Sequence, residues 1–450
     1  MKCKTLYIVL ACMPVVLGGC GIYGKYERKP LEFDAECYAK GDTSMAPLSA
    51  MPWRELFTDR CLSDWIERGL KANTDLRIAQ FRVEEASATL TASRLAFLPS
   101  LNASADGSVS NSSSNRFQIG PSASWELDVF GKQRNLKKGA EASYNASQAY
   151  KQAVTTSLIA TIANGYYTLV MLDEQLSISE RTLKTWDENI RTLQAFKRAG
   201  RSNEAAVLQA RANRMKVESS TLTLRKRISE QENSIRSLLL EPDADLARGE
   251  YSKQSFPDTL SAGVSLELLS NRPDVRQAEF ELQKAFYNVN VSRSAFYPSI
   301  TLSGNAGWVS SSGAVANPSS WIANALGSIT APLFNRGTNQ ANLKISKAEY
   351  EIAALEFQQK ILDAGIEVND ALSAWQTARN KLVIDKKQIV ALRGAVHNTR
   401  LLMRNTPTSY LEVLTAQQRL LEAELTEVED RYDVIQSVIR LYRALGGGVE

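Results

Sequence analysis

Few side chains in this 450-residue chain are equipped for covalent or proton chemistry. Its one histidine, His397, sits beside Asn398 in a long helix-compatible run. With no second His to form a metal pair, it reads as a solvated or interhelical side chain. No P-loop, HExxH or Cys-x-x-Cys occurs, and Gly446-Gly447-Gly448 follows a helical run, where it stops a helix and cradles no phosphate. Five cysteines remain: Cys3, Cys12, Cys20, Cys37 and Cys61. The expectation is a protein that is not an enzyme, with no catalytic residue, cofactor or metal site.

The start of the chain gives the thiols their context. Lys2 and Lys4 precede an apolar run, Leu6 to Val16, too short to span a bilayer and followed by Leu17-Gly18-Gly19-Cys20. That is the layout of a secretory signal. The tetrad looks like a bacterial lipobox, which would make Cys20 the acylated first residue of the mature chain and an anchor in lipid. Gly21 follows it, which implies sorting to the outer membrane. Cleavage and acylation leave only Cys37 and Cys61 as thiols, in an oxidising compartment. A Cys37–Cys61 disulfide and two free thiols are both open readings. The formal charge of +4, lower still without Lys2 and Lys4, argues against nucleic acid or any charge-driven partner.

What would position anything else is written twice. SRLAFLPSLNASA, Ser93 to Ala105, returns as SRSAFYPSITLSG, Ser292 to Gly304. Asp75, Arg77 and Phe81 fall on Asp274, Arg276 and Phe280 in the same alignment, and Val207-Leu208 later falls on Val413-Leu414. This is one duplicated unit of about 200 residues rather than a short-period solenoid. Leu62 to Phe97 is helical in composition and ends at Pro99. Leu101, Ala103, Ala105 and Val109 then alternate with polar residues, as do Phe117, Ile119, Ala123, Trp125, Leu127 and Val129. The second copy alternates at Ile300, Leu302, Gly304, Ala306 and Trp308, and again at Trp321, Ala323, Ala325, Ile329 and Leu333. Period two marks strands with one apolar and one polar face.

Proline is absent from Lys132 to Glu241, and only Pro407 interrupts Asn335 to Glu450. Ile162, Leu169, Leu176, Leu183 and Ile190 lie seven apart, as do Leu414, Leu421, Val428, Ile435 and Tyr442. Such seams imply coiled-coil packing of helices about 100 Å long. The expected organisation is a signal peptide at 1–19 and a lipid-anchored segment at 20–61. A first repeat at 62–241 holds a β-hairpin at about 100–130, a linker follows at 242–265, and a second repeat at 266–450 holds a hairpin at about 299–334.

Four strands cannot close a barrel in lipid, and an open edge there leaves backbone groups unsatisfied, so several chains must pool their strands. The lipobox, Asn271 to Glu279, Ser294 to Ile300, Ser409 to Leu414 and Leu441 to Gly448 together resemble the TolC-like outer-membrane factors, most closely the OprM/NodT-type lipoproteins. The resemblance implies a mainly α fold with membrane β, in which three copies form a twelve-stranded barrel continued by a helical tunnel across the periplasm, with residues 242 to 265 and the chain ends as a belt. It implies an efflux duct for drugs or other small molecules, partnered by a periplasmic adaptor and an inner-membrane transporter of RND type. The tips that would surround the aperture and receive the adaptor are Gly200, Arg201 and Glu204 in the first half, and Thr406, Pro407, Thr408 and Ser409 in the second. The sequence departs from the family's wording at Arg201, Ala206, Thr406 and Thr415, which puts the adaptor's identity and the gate's charge ring in question. Arg201 and Glu204 are expected either to set adaptor specificity or to be ordinary solvated turn charges. A duct for polypeptide secretion, and a periplasmic coiled-coil scaffold without a pore, are the alternative readings.

Overall fold

The computed structural model describes residues 23–28, 51–108, 116–254, 271–310, 320–405 and 410–447. Two antiparallel hairpins alternate with helices of very unequal length. After a single turn at Trp53–Leu56 come α1 (Arg60–Ala72), α2 (Thr74–Leu95), β1 (Ser100–Ser108), β2 (Arg116–Leu127), α3 (Lys132–Arg198) and α4 (Glu204–Leu239). The second half supplies α5 (Pro273–Ser294), β3 (Ser299–Ser310), β4 (Ser320–Thr330), α6 (Thr338–Asn405) and α7 (Tyr410–Ala444). At 67 and 68 residues, α3 and α6 have contour lengths of about 100 Å. Among the described residues no helix is long and apolar enough to cross a membrane.

Local chemistry sets the boundaries. The helix expected from Leu62 to Phe97 is broken at Asn73, whose backbone is extended. Its Oδ1 accepts from the N–H groups of Asp75 and Leu76, so the same residue ends α1 and caps α2. Val129 and Leu333 fall outside the strands. After Leu127 the chain turns so that Asp128 can cap α3, accepting from the N–H groups of Gln133 at 2.8 Å and Arg134 at 3.0 Å. Pro273 opens α5 at a position where no intrahelical N–H is needed.

The chain divides into two compact units. One comprises Met1–Phe33, Ala79–Tyr150 and Asp274–Lys360 and contains all four strands. They form a single sheet in the order β1-β2-β3-β4, antiparallel throughout. β2 of the first half pairs directly with β3 of the second, from Phe117 opposite Ser310 to Leu127 opposite Ile300. Residues 23–28 pack within this unit. The Tyr23 ring touches Gly131, the Tyr26 ring meets Phe286 edge-on at 5.7 Å, and the Arg28 guanidinium lies over Phe357.

The other unit comprises Asp34–Ile78, Lys151–Pro273 and Ile361–Glu450. Its largest fully buried side chains include Phe57, Leu62, Trp65, Ile162, Tyr166, Leu169, Ile235 and Tyr442. The heptad seam of α7 is buried at Leu414, Val428, Ile435 and Tyr442, while Leu411 is exposed. A polar hub fastens the linker after α4. Asp59 accepts from the Tyr166 hydroxyl at 2.7 Å and from Gln254 Nε2 at 2.6 Å, and the Gly249 N–H donates to Tyr166 at 2.8 Å. Burial opposes the Asp59 charge, but these donors and the N–H groups of Cys61 and Leu62 outweigh it and lower its pKa. Among the described residues Cys61 is a free, half-buried thiol, and burial with nearby Asp59 and Asp64 raises its pKa. Cys20 and Cys37 lie outside the described residues.

Candidate functional site

Directly paired residues share a face of a sheet, so the register separates the two surfaces. One face carries Leu101, Ala103 and Ala105 of β1 and Phe117, Ile119, Pro121, Ala123, Trp125 and Leu127 of β2. It continues through Ile300, Leu302, Gly304, Ala306 and Trp308 of β3 to Trp321, Ala323, Ala325, Gly327 and Ile329 of β4. Apart from Ser310 at its margin, that face is apolar from edge to edge. Ile329 is 71 % exposed, Trp321 64 % and Trp308 52 %, so nothing among the described residues covers it. The opposite face holds Asn102, Ser104, Asp106, Gln118, Ser122, Ser124, Glu126, Thr301, Ser303, Asn305, Asn324 and Ser328, with Val309, Ile322 and Leu326 as apolar exceptions.

Eight residues separate the Ile300–Ile329 pair from the Trp308–Trp321 pair. At about 3.3 Å per residue the apolar band is about 26 Å along the strands, or about 20 Å in height at the roughly 40° tilt of barrel strands, on the order of the lipid-facing band of an outer-membrane barrel. Aromatic side chains mark both ends. Trp308 and Trp321 face one another at one, and at the other Trp125 donates from Nε1 to the Phe97 carbonyl at 2.9 Å while Phe130 stacks on Tyr297. A large amphipathic ring with its N–H satisfied suits a boundary between lipid and water.

Both outer edges of the sheet, β1 and β4, have no strand beside them among the described residues. Within it, Gly120 and Gly307 lie opposite each other across β2 and β3, at the place where Pro121 offers no N–H. A Cβ on Gly120 would collide with the Ala306 carbonyl, and one on Gly307 with that of Ile119. The two halves of the repeat therefore meet backbone to backbone.

Of the residues expected at the tips, Gly200, Arg201 and Glu204 are in the turn between α3 and α4. Gly200 has φ +71°, and the Arg201 N–H returns to the Phe196 carbonyl at 2.8 Å, closing α3. The Arg201 guanidinium lies 5.3 Å from the centre of the Phe196 ring. Glu204 pairs with Lys197, whose hydrogen bond and charge lower its pKa, and Asn203 caps α4 by accepting from the Ala206 N–H. The turn thus presents a largely self-paired charge pattern. Thr406, Pro407, Thr408 and Ser409 lie outside the described residues. Beside the turn, Trp186, Leu193, Ala206, Val207, Ala210, Val217 and Leu414 bury a core joining α3, α4 and α7. Composition alone did not mark the polar node above it, where Gln417 of α7 engages Asn189 of α3 and its amide oxygen takes the Arg400 guanidinium of α6.

Known proteins share this arrangement. The family model described as "Outer membrane efflux protein" matches residues 65–239 and 264–447, one segment in each half. The cation efflux system protein CusC of Escherichia coli strain K12 is 32 % identical over 462 aligned positions, covering 99 % of both chains. A solved CusC structure has a TM-score of 0.85, covering 95 % of this chain and 100 % of its own. SilC of Salmonella typhimurium, named a probable outer membrane lipoprotein, is 28 % identical across 100 % of this chain and 98 % of its own. The open-state structure of the Neisseria gonorrhoeae MtrE outer membrane channel matches with a TM-score of 0.86 at 29 % identity, covering 96 % of this chain and 99 % of its own.

Proposed function

The chain belongs to the outer membrane efflux protein family, whose members are channels, and on that premise we propose that three copies close their sheets into one barrel and conduct small molecules out of the periplasm. The observation that carries this reading is the open four-stranded sheet with one apolar and one polar face. Among the described residues neither the apolar face nor either edge has a partner. Pairing β4 of one copy with β1 of the next removes every edge, turns the apolar face to lipid and the polar face to water. Two copies would give eight strands, an interior that side chains fill; three is the smallest number that leaves a lumen. The helices have the same need. Leu208, Met215 and Leu222 lie seven apart on α4, and Val383 and Val390 on α6, all exposed in the single chain.

In this reading acylation of Cys20 adds a lipid anchor. Tyr23, three residues on, is held against Gly131 just beyond β2, and three extended residues reach about 10 Å, enough to bring an acyl group to the margin of the apolar band. The name of SilC as a lipoprotein agrees with it. The turn at Gly200, Arg201 and Glu204, with Thr406 to Ser409, is the docking point for a periplasmic adaptor that connects the channel to an inner-membrane transporter. Relatives include a cation efflux protein and a toluene efflux pump protein, so the pump partner, rather than the channel wall, selects the cargo.

The test is purification of the full chain in detergent followed by insertion into planar bilayers. A trimer giving discrete conductance steps is expected. A monomer without conductance would overturn the reading.

A further inference from the structure

Two carboxyl groups meet where α6 and α7 pack together. Asp430 of α7 is 2 % exposed and Asp385 of α6 is 8 % exposed. The two carboxyls lie within each other's electrostatic reach, and Oδ2 of each is buried with no hydrogen-bond partner. Two ionised carboxylates buried near each other repel and can only accept, whereas a proton on one lets it donate to the other. Lys381, one turn before Asp385, pairs with Asp430 Oδ1. One cation among two buried carboxyls balances the charge when one carboxyl is neutral. The other charged groups acting here are Glu427 and Asp433 of α7, with Glu429 and Arg440 next to Asp433. From α3, the neutral amide of Gln175 donates to Glu429 at 3.0 Å. The surroundings are mainly acidic and favour retention of the proton.

We propose that Asp385 and Asp430 share one proton and form a pH-sensitive clasp between α6 and α7, closed by acid and loosened by alkali. Burial, followed by the hydrogen bond and charge of Asp430, pushes Asp385 up to about 6 from its ordinary 3.8. The folded chain therefore holds a proton that the unfolded chain has released between about pH 4 and pH 6. The pair's contribution to stability falls as pH rises through that window and is level above it. Above it, Lys381 faces two negative charges and the contact between the helices turns repulsive. The bonding between helices requires nothing of the channel reading; only the conductance measurement below rests on it.

The experiment uses purified full-length protein in three measurements across about pH 4 to pH 8: an infrared titration, a melting series, and open probability in planar bilayers. The wild type should show a protonated-carboxyl band lost near pH 6, a melting temperature that declines across the window, and an open probability that rises several-fold. Asp385→Asn keeps a donor toward Asp430 but cannot ionise, so the band should vanish and both profiles flatten relative to wild type. Lys381→Met removes the cation and should shift the infrared midpoint to higher pH. A wild-type profile in Asp385→Asn overturns the clasp, as does an unmoved midpoint in Lys381→Met should the first variant not assemble. Loss of conductance in every sample, with the infrared result intact, would count against the channel and not the clasp.

Discussion

Arg272 donates from Nη1 to the carbonyl oxygen of Ala444 at 2.6 Å, closing the end of α7 with the residue that precedes α5. The same guanidinium reaches Glu367 at 2.9 Å, and Arg443 reaches the other oxygen of that carboxylate at 2.7 Å. Arg272 and Pro273 therefore meet Ala444 and Gly446 in space, so the start of the Asn271–Glu279 stretch is joined to the Leu441–Gly448 stretch. Arg272 is buried, so Arg272→Ala strands a carbonyl and half-strands a carboxylate. The expected loss is about 3 kcal/mol, read as a lower melting temperature, and Arg272→Lys should recover only part of it because an ammonium cannot fork.

Glu367 gives this site a pH signature. Burial opposes its charge, yet the hydrogen bonds from Arg443 and Arg272 prevail and lower its pKa below the ordinary 4.5. Its contribution is present above pH 4.5 and is lost as pH falls through the folded value. Glu367→Gln should therefore melt below wild type at neutral pH, with the gap narrowing as the pH drops below about 4. A gap constant across that range would refute the assignment.

At the junction of the two hairpins, Gly120→Ala forces a methyl group into the Ala306 carbonyl, with Gly307 directly opposite. Neither backbone has room to move without parting β2 from β3. A cost of about 3 kcal/mol is expected, seen as a lower melting temperature of the purified protein. Conversion of Gly304, which has more room, to Ala should be far milder.

Neighbouring residues on opposite faces of β4 distinguish lipid from lumen. Ala325 is on the apolar face in the middle of the band and Asn324 on the polar face. Ala325→Arg should cost about 2–4 kcal/mol and reduce assembled protein in the outer membrane, whereas Asn324→Arg should leave assembly unchanged and alter conductance or ion selectivity. Equal effects at the two positions would contradict the orientation.

At the turn, reversal of Arg201 and Glu204 to acid and base breaks the stack on Phe196 and the pair with Lys197. Cross-linking to the adaptor and efflux should fall severalfold while bilayer conductance persists. Exposed pairs of this kind contribute little to stability, so the melting temperature should hardly move.

The strands and the long helices were legible in sequence because period two and period seven are local patterns, carried by residues such as Leu101–Ala105 and Ile162–Ile190. Alternation gives each strand its faces but not its neighbours, so the β2–β3 pairing that unites the halves had no signature in the sequence. Asn73 shows the same limit at short range. Asn-Thr-Asp is a capping phrase, yet it lay inside a run whose composition was otherwise helical. The shared proton of Asp385 and Asp430 depends on α6 and α7 placing two exposed-looking residues against each other, which no spacing within either helix announces. The Arg272 contact likewise joins ends of the second repeat that composition treats as unrelated.

The direct pairing of β2 with β3 also orders events during synthesis. The first hairpin is complete long before Ser299 exists, and two strands with a bare apolar side are marginal in water. Until the second hairpin arrives, both margins of the first remain available to any passing strand, and on the trimeric reading the finished sheet still needs its sister chains. The interval during which bare strand edges stand unpaired is thus written into the order in which the chain is made.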